Sequence, residues 1–118
     1  MPKVKVNGID IYYEEHGSGE PVVMIGGLGA DTTLWSKQVP AFSERFRVVV
    51  FDNRGSGQSD KPDEPYSIPM FAADTVGLMQ ALGIERAHVV GASLGGLVAQ
   101  ELVLTHPEMV DRLLLVCT

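Results

Sequence analysis

Ser93 lies within Gly91-Ala92-Ser93-Leu94-Gly95, directly after the apolar run Ala87 to Val90 and directly before a stretch with helical spacing. A G-x-S-x-G sequence in that setting puts the serine on a sharp strand-to-helix turn, where Gly91 and Gly95 remove side chains that would collide. Such a turn lifts the hydroxyl above the sheet edge, which makes Ser93 the leading candidate for a nucleophile. It also aims the Leu94 amide, at a helix N-terminus, toward negative charge forming on a bound carbonyl oxygen.

Two further loops follow apolar strands, at the ends where open α/β sheets keep their ligand sites. Gly26-Gly27-Leu28-Gly29 comes after Pro21 to Ile25. Free of side-chain bulk at Gly27, its backbone can approach a substrate oxygen, so the Leu28 amide is a candidate second oxyanion donor beside Leu94. Taken alone, the run reads more simply as a turn that reverses the chain. Asp52-Asn53-Arg54-Gly55-Ser56-Gly57-Gln58-Ser59 follows Val48 to Phe51 and reads as a structured loop in which Asp52 and Arg54 brace the turn. Trp35, just after the glycine loop, reads evenly as a possible pocket wall or as core, and Phe71 reads as packing.

No histidine is placed to serve Ser93 as a base. His88 is five residues back along an extended strand, ~16 Å away at ~3.3 Å per residue. His106 is thirteen residues on, at the far end of a helix rising 1.5 Å per residue, hence roughly 20 Å off. His16 closes a strand at the wrong edge. Asp52 is at the correct edge, while Asp31 reads as a helix N-cap and Asp60 as a solvated loop charge. No metal-ligand cluster is present and no cofactor is implied.

The elements that must position these residues follow from periodicity. Lys3 to Val6 and Ile9 to Glu15 flank Asn7-Gly8, a strong hairpin signal. Pro21 to Ile25 and Val48 to Phe51 suit buried parallel strands, with a helical segment near Thr33 to Glu44 between them. Helical spacing returns at Pro69 to Leu82 and ends at Gly83. A strand at Ala87 to Val90 and a helix from Leu94 to about Thr105, stopped by Pro107, come next. Arg112 to Cys117 reads as the last strand. The sum is a three-layer α/β/α domain: a mostly parallel sheet of about six strands with an antiparallel N-terminal hairpin.

Composition agrees with one soluble domain over residues 1–118, with 45% hydrophobic and 20% charged residues among 118. Nine basic against fifteen acidic residues give a net charge of -6, which argues against a nucleic-acid partner held by charge. Met1 to Lys5 lacks the apolar core of a signal peptide and no apolar run approaches bilayer length, so the chain reads as cytoplasmic with no membrane partner. The single cysteine, Cys117, reads as a small apolar residue.

Taken together, Gly26-Gly27-Leu28-Gly29, then Asp52 to Ser59, then Gly91-Ala92-Ser93-Leu94-Gly95-Gly96, each after an apolar strand, resemble the α/β-hydrolase superfamily. The likeness is greatest to its small-esterase, enol-lactonase, epoxide-hydrolase and cofactor-free haloperoxidase branch, and it covers essentially the whole chain. It implies a strand order of 1-2-4-3-5-6 with only the second strand antiparallel. It further implies Ser93 as the nucleophile and the Leu28 and Leu94 amides as the oxyanion hole. Gly26 stands where many members have histidine. The sequence ends where the resemblance places the last two strands, lid helices, triad acid and triad histidine, so the expectation is a truncated core.

The function expected is therefore acyl transfer from small carboxylic esters or lactones to water, impaired without a base. Another expectation is a non-enzymatic half-domain that self-associates through Arg112 to Cys117, an apolar edge with no proline or inward charge to block pairing. A nucleotide-binding domain is a weaker reading, for no G-x-G-x-x-G follows the first parallel strand and no P-loop lysine is present.

Overall fold

Asn7 and Gly8 turn the chain with positive φ at both residues, 50° and 82°, the backbone that a two-residue hairpin requires. They join β1 (Lys3–Val6) to β2 (Ile9–His16) in an antiparallel register with Val6 opposite Ile9. β3 (Glu20–Ile25), β4 (Phe46–Phe51), β5 (Ala87–Ala92) and β6 (Val110–Val116) complete one sheet in the order β1-β2-β4-β3-β5-β6. Only β2 runs against its neighbours, as expected. This computed structural model describes residues 2–27 and 29–116, so Leu28 and Cys117 lie outside the described residues.

The central strands are apolar along their length because both faces are covered. Val23, Ile25, Val49, Phe51 and Val89 point to one side, under α2 (Ile68–Ala81) and α3 (Leu94–Thr105). Val22, Met24, Val48, Val50 and Val90 point to the other, toward Trp35 and α1 (Val39–Phe42). Helix α2 starts on Ser67, whose hydroxyl accepts the Met70 amide, and is followed by Gly83 at φ 72°.

The continuous helix expected over Thr33 to Glu44 is broken into a 3₁₀ turn at Thr32–Trp35 and the four-residue α1. Pro40 is the reason, since it lacks an amide proton and its ring would meet the carbonyl four residues earlier. Asp31 caps the first piece by accepting from the Thr33 amide, as its sequence position predicts. Asp60, expected to be a solvated charge, is exposed but tied: its carboxylate accepts the Asp10 amide at 2.8 Å and its own amide donates to the Asp10 carbonyl at 2.9 Å. The loop after β4 thus extends the sheet edge past the end of its strand.

Candidate active site

Ser93 joins β5 to α3 with φ 57° and ψ −121°, a conformation that non-glycine residues rarely adopt. Its amide donates to the Val116 carbonyl at 2.9 Å and its carbonyl accepts from Gly96 at 2.9 Å, so the turn is held on both sides while the residue stays exposed. α3 begins at Leu94, and the amides of its first turn have no carbonyl four residues back.

The flanking glycines are steric necessities. A Cβ on Gly91 would come within 2.5 Å of the Gly95 carbonyl oxygen and 2.8 Å of the Gly96 Cα. One on Gly95 would overlap the Ile25 carbonyl and reach within 2.8 Å of the Gly26 oxygen. Backbone blocks both, and backbone cannot swing aside. Gly27 faces the elbow, since a Cβ there would stand 3.7 Å from the Ser93 Cβ and 3.9 Å from the Leu94 nitrogen. A carbonyl group could enter from the exposed side and meet a hydroxyl, with helix-terminal amides beyond it.

The loop after β4 holds this arrangement from behind. Asp52 is 1% exposed and accepts the amides of Thr32 and Gln58, each at 2.8 Å. Burial raises its carboxyl pKa above the ordinary value, against the lowering effect of those two donors. Arg54 forks onto Asp74 of α2, Nε to Oδ2 at 2.6 Å and Nη2 to Oδ1 at 2.9 Å, and reaches Glu64 at 3.0 Å. Asp74 in turn raises the guanidinium pKa above its usual value. The amide of Asn7, in the first hairpin, donates to the same Asp74 oxygen at 3.0 Å. Asp52 thus ties this loop to Thr32 and Arg54 ties it to α2.

Other contacts escape sequence reading. Asn53 Nδ2 donates to the Gly26 carbonyl at 3.0 Å, and the Ser56 hydroxyl accepts the Gly29 amide at 3.0 Å. Asp74 has one visible signal, as the only charged residue of α2. Asn53 and Ser56 had none beyond their place in a polar loop. On the α1 side, Glu14 accepts from the Tyr12 hydroxyl at 2.5 Å and from the Thr32 hydroxyl at 3.1 Å, and lies 3.1 Å from His16 Nε2. That carboxylate pushes the Tyr12 pKa up to about 12, and the tyrosine in turn lowers that of Glu14.

Trp35 packs among Val22, Met24, Val48 and Val50 in the core. His88 is the second residue of β5, opposite Val22, with Nε2 3.0 Å from Glu20, near the end of the strand away from Ser93. His106 follows the C-terminus of α3, and His16 pairs with Val48. Among the described residues no histidine hydrogen-bonds Ser93, no group of three or more His, Cys, Asp and Glu could hold a metal ion, and no helix is long and apolar enough to cross a membrane.

A family described as "alpha/beta hydrolase fold" matches residues 20–118. Among curated relatives, "Putative carbamate hydrolase RutD" of Azorhizobium caulinodans is 37% identical over 116 residues, covering 98% of this chain and 44% of that protein. Among solved structures, Est816, an N-acyl homoserine lactone degrading enzyme, superposes with a TM-score of 0.93 at 39% identity, over 97% of this chain and 44% of its own. The enol-lactonase of Burkholderia xenovorans LB400 does so with a TM-score of 0.92 at 37% identity, over 95% and 45%. The chain spans less than half the length of these relatives. With the strand order, the elbow and these matches in agreement, the chain belongs to the α/β-hydrolase fold family.

Proposed function

We propose that this chain carries the nucleophile and oxyanion hole of a serine hydrolase acting on small carboxylic esters or lactones. The Ser93 oxygen bonds to the carbonyl carbon, the alcohol oxygen leaves with a proton, and water later releases the acid and restores the serine. Negative charge on the carbonyl oxygen is met by the Leu94 amide at the start of α3, and the second donor role falls to Leu28, which lies outside the described residues. The observation that carries this reading is the backbone of Ser93, held at φ 57° and ψ −121° with a helix starting at the next residue and Gly27 facing it. A strained, exposed serine at a helix start has little structural use. Two structural neighbours, an N-acyl homoserine lactone degrading enzyme and an enol-lactonase, support the substrate class.

The proton of Ser93 needs an acceptor, and the three histidines all lie elsewhere. We assign that base to the part of the relatives that this chain does not span. Hydrolysis by the chain alone is then slow, on the order of the 10³ to 10⁴-fold over water left when triad members are removed from a well-studied protease. The test is p-nitrophenyl acetate hydrolysis by the purified chain and by Ser93→Ala, with mass spectrometry of the acylated peptide. Slow, Ser93-dependent turnover and an acyl group on Ser93 are expected. Equal turnover by Ser93→Ala, or acylation elsewhere, overturns the assignment.

A second reading, self-association through β6, is favoured by one observation. Leu113, Leu114, Leu115 and Val116 are all exposed on this edge strand.

A further inference from the structure

We propose that Asn53 and Ser56 are positioning residues for the reaction at Ser93, setting the Gly26 to Gly29 loop against the elbow from outside that loop. The inference rests on the reading of Ser93 as the nucleophile.

Among the described residues, the glycine loop has one internal hydrogen bond. Gly26 and Gly27 belong to no helix or strand, and the turn's internal hydrogen bond, Ala30 amide to Gly27 carbonyl, is 3.2 Å long. A glycine-rich segment loses more conformational freedom on ordering than any other, so its geometry must be imposed. The loop after β4 imposes it at two flanking points, the Gly26 carbonyl on Asn53 Nδ2 and the Gly29 amide on Ser56 Oγ. A third tie follows at the Thr32 amide, on Asp52.

That second loop is a fixed frame. The Ser59 hydroxyl accepts the Tyr12 amide at 2.9 Å and donates to the Asp52 carbonyl at 2.5 Å. The Asp52 and Asp60 amides donate to the Tyr12 and Asp10 carbonyls of β2. Position therefore passes from β2 to the polar loop, from there to the glycine loop, and from Gly27 to Ser93.

Asn53 carries a further mark of purpose. It is 2% exposed, and its Oδ1 is buried with no hydrogen-bond partner among the described residues. Leaving half of a buried amide unpaired is unfavourable, and an apolar side chain would fill the same space without that penalty. What an asparagine adds here is the donor to the Gly26 carbonyl.

The test compares the wild-type chain with Asn53→Ala, Asn53→Asp and Ser56→Ala by amide hydrogen exchange and by ester hydrolysis, with thermal unfolding to establish that each variant folds. Ala30 exchange is expected to quicken about tenfold in Asn53→Ala, while the Gly96 amide, bonded to the Ser93 carbonyl, keeps its rate. Ser93-dependent kcat is expected to fall about tenfold or more with KM unchanged, because misplaced donors weaken the transition state and not ester binding. Asn53→Asp, which turns an acceptor toward a carbonyl oxygen, falls at least as far, and Ser56→Ala gives the same split through the other tie. Wild-type exchange at Ala30 in folded Asn53→Ala, or quickened exchange with unchanged kcat, overturns the proposal. Turnover that survives Ser93→Ala overturns the Ser93 reading instead, and the exchange result still judges the clamp.

Discussion

Asp74 is the one charged residue of α2, 1% exposed, and it is tolerated because Arg54 forks onto both of its oxygens and Asn7 adds a third donor. Buried pairs contribute little net stability when intact, but removing one partner leaves the other charged and dry. Asp74→Ala is therefore expected to cost about 3–5 kcal/mol in urea unfolding, whereas replacing Arg54 and Asp74 together by Met and Leu recovers most of it. A fall below about 1 kcal/mol for Asp74→Ala would mean that the existing Glu64 partner and water suffice for the guanidinium. Tyr12 yields a pH prediction of definite sign. Beside Glu14 its folded pKa is about 12 against an ordinary 10.0, so the unfolded chain loses this proton first. The contribution is fully present below pH 10 and is lost as pH rises toward 12. Tyr12→Phe should remove that alkaline slope. Glu14 works at the other limb: its pKa is lowered, so its contribution is present above about 4.5 and lost as pH falls through the folded value.

At the scale of elements, close approach separates two glycine substitutions. Gly95→Ala drives a methyl into the Ile25 carbonyl where α3 lies on β3, and about 3 kcal/mol of destabilisation is expected in thermal unfolding. Gly83→Ala meets nothing within 4 Å and costs only its φ of 72°, about 1 kcal/mol. If the two variants unfolded alike, packing at the elbow would not be the constraint. Features of this kind are local, and local features were legible. Asn7-Gly8, the two-faced apolar strands, the helix that ends at Gly83 and the elbow itself each occupy a few consecutive residues. The break in the helical segment after Asp31 escapes periodicity, because helical spacing runs on through Pro40. The ties that shape the site were illegible for a different reason. Asn53 to Gly26 and Ser56 to Gly29 each join residues 27 apart, and Arg54 to Asp74 joins residues 20 apart. Spacing within a motif carries no information about such partners, and only the sheet order brings them together.

The whole molecule is lopsided. On the α1 side, cover extends over β4 and β3, and a cavity of about 400 Å³ opens beside it, walled by Val22, Phe42, Phe46, Val90, Leu113 and Leu114. On the other side α3 presents Leu97 and Leu104 to solvent, 49% and 79% exposed, next to β6. Among the described residues β6 has β5 on one flank and no strand on the other, so its outer backbone groups can receive a second strand. A second β6 paired antiparallel about a two-fold axis perpendicular to the sheet would keep each face on its own side. Both copies of α3 would then flank the seam with their exposed leucines, and the two cavities would adjoin on the opposite face. Light scattering is expected to give twice 12.7 kDa at micromolar concentrations and above, and Leu114→Lys, which sets a charge beside its twin across the seam, should return the chain to 12.7 kDa. Folded wild-type chain that stays at 12.7 kDa up to about 100 μM, two decades above a 1 μM dissociation constant, would rule out pairing through β6 at any such affinity.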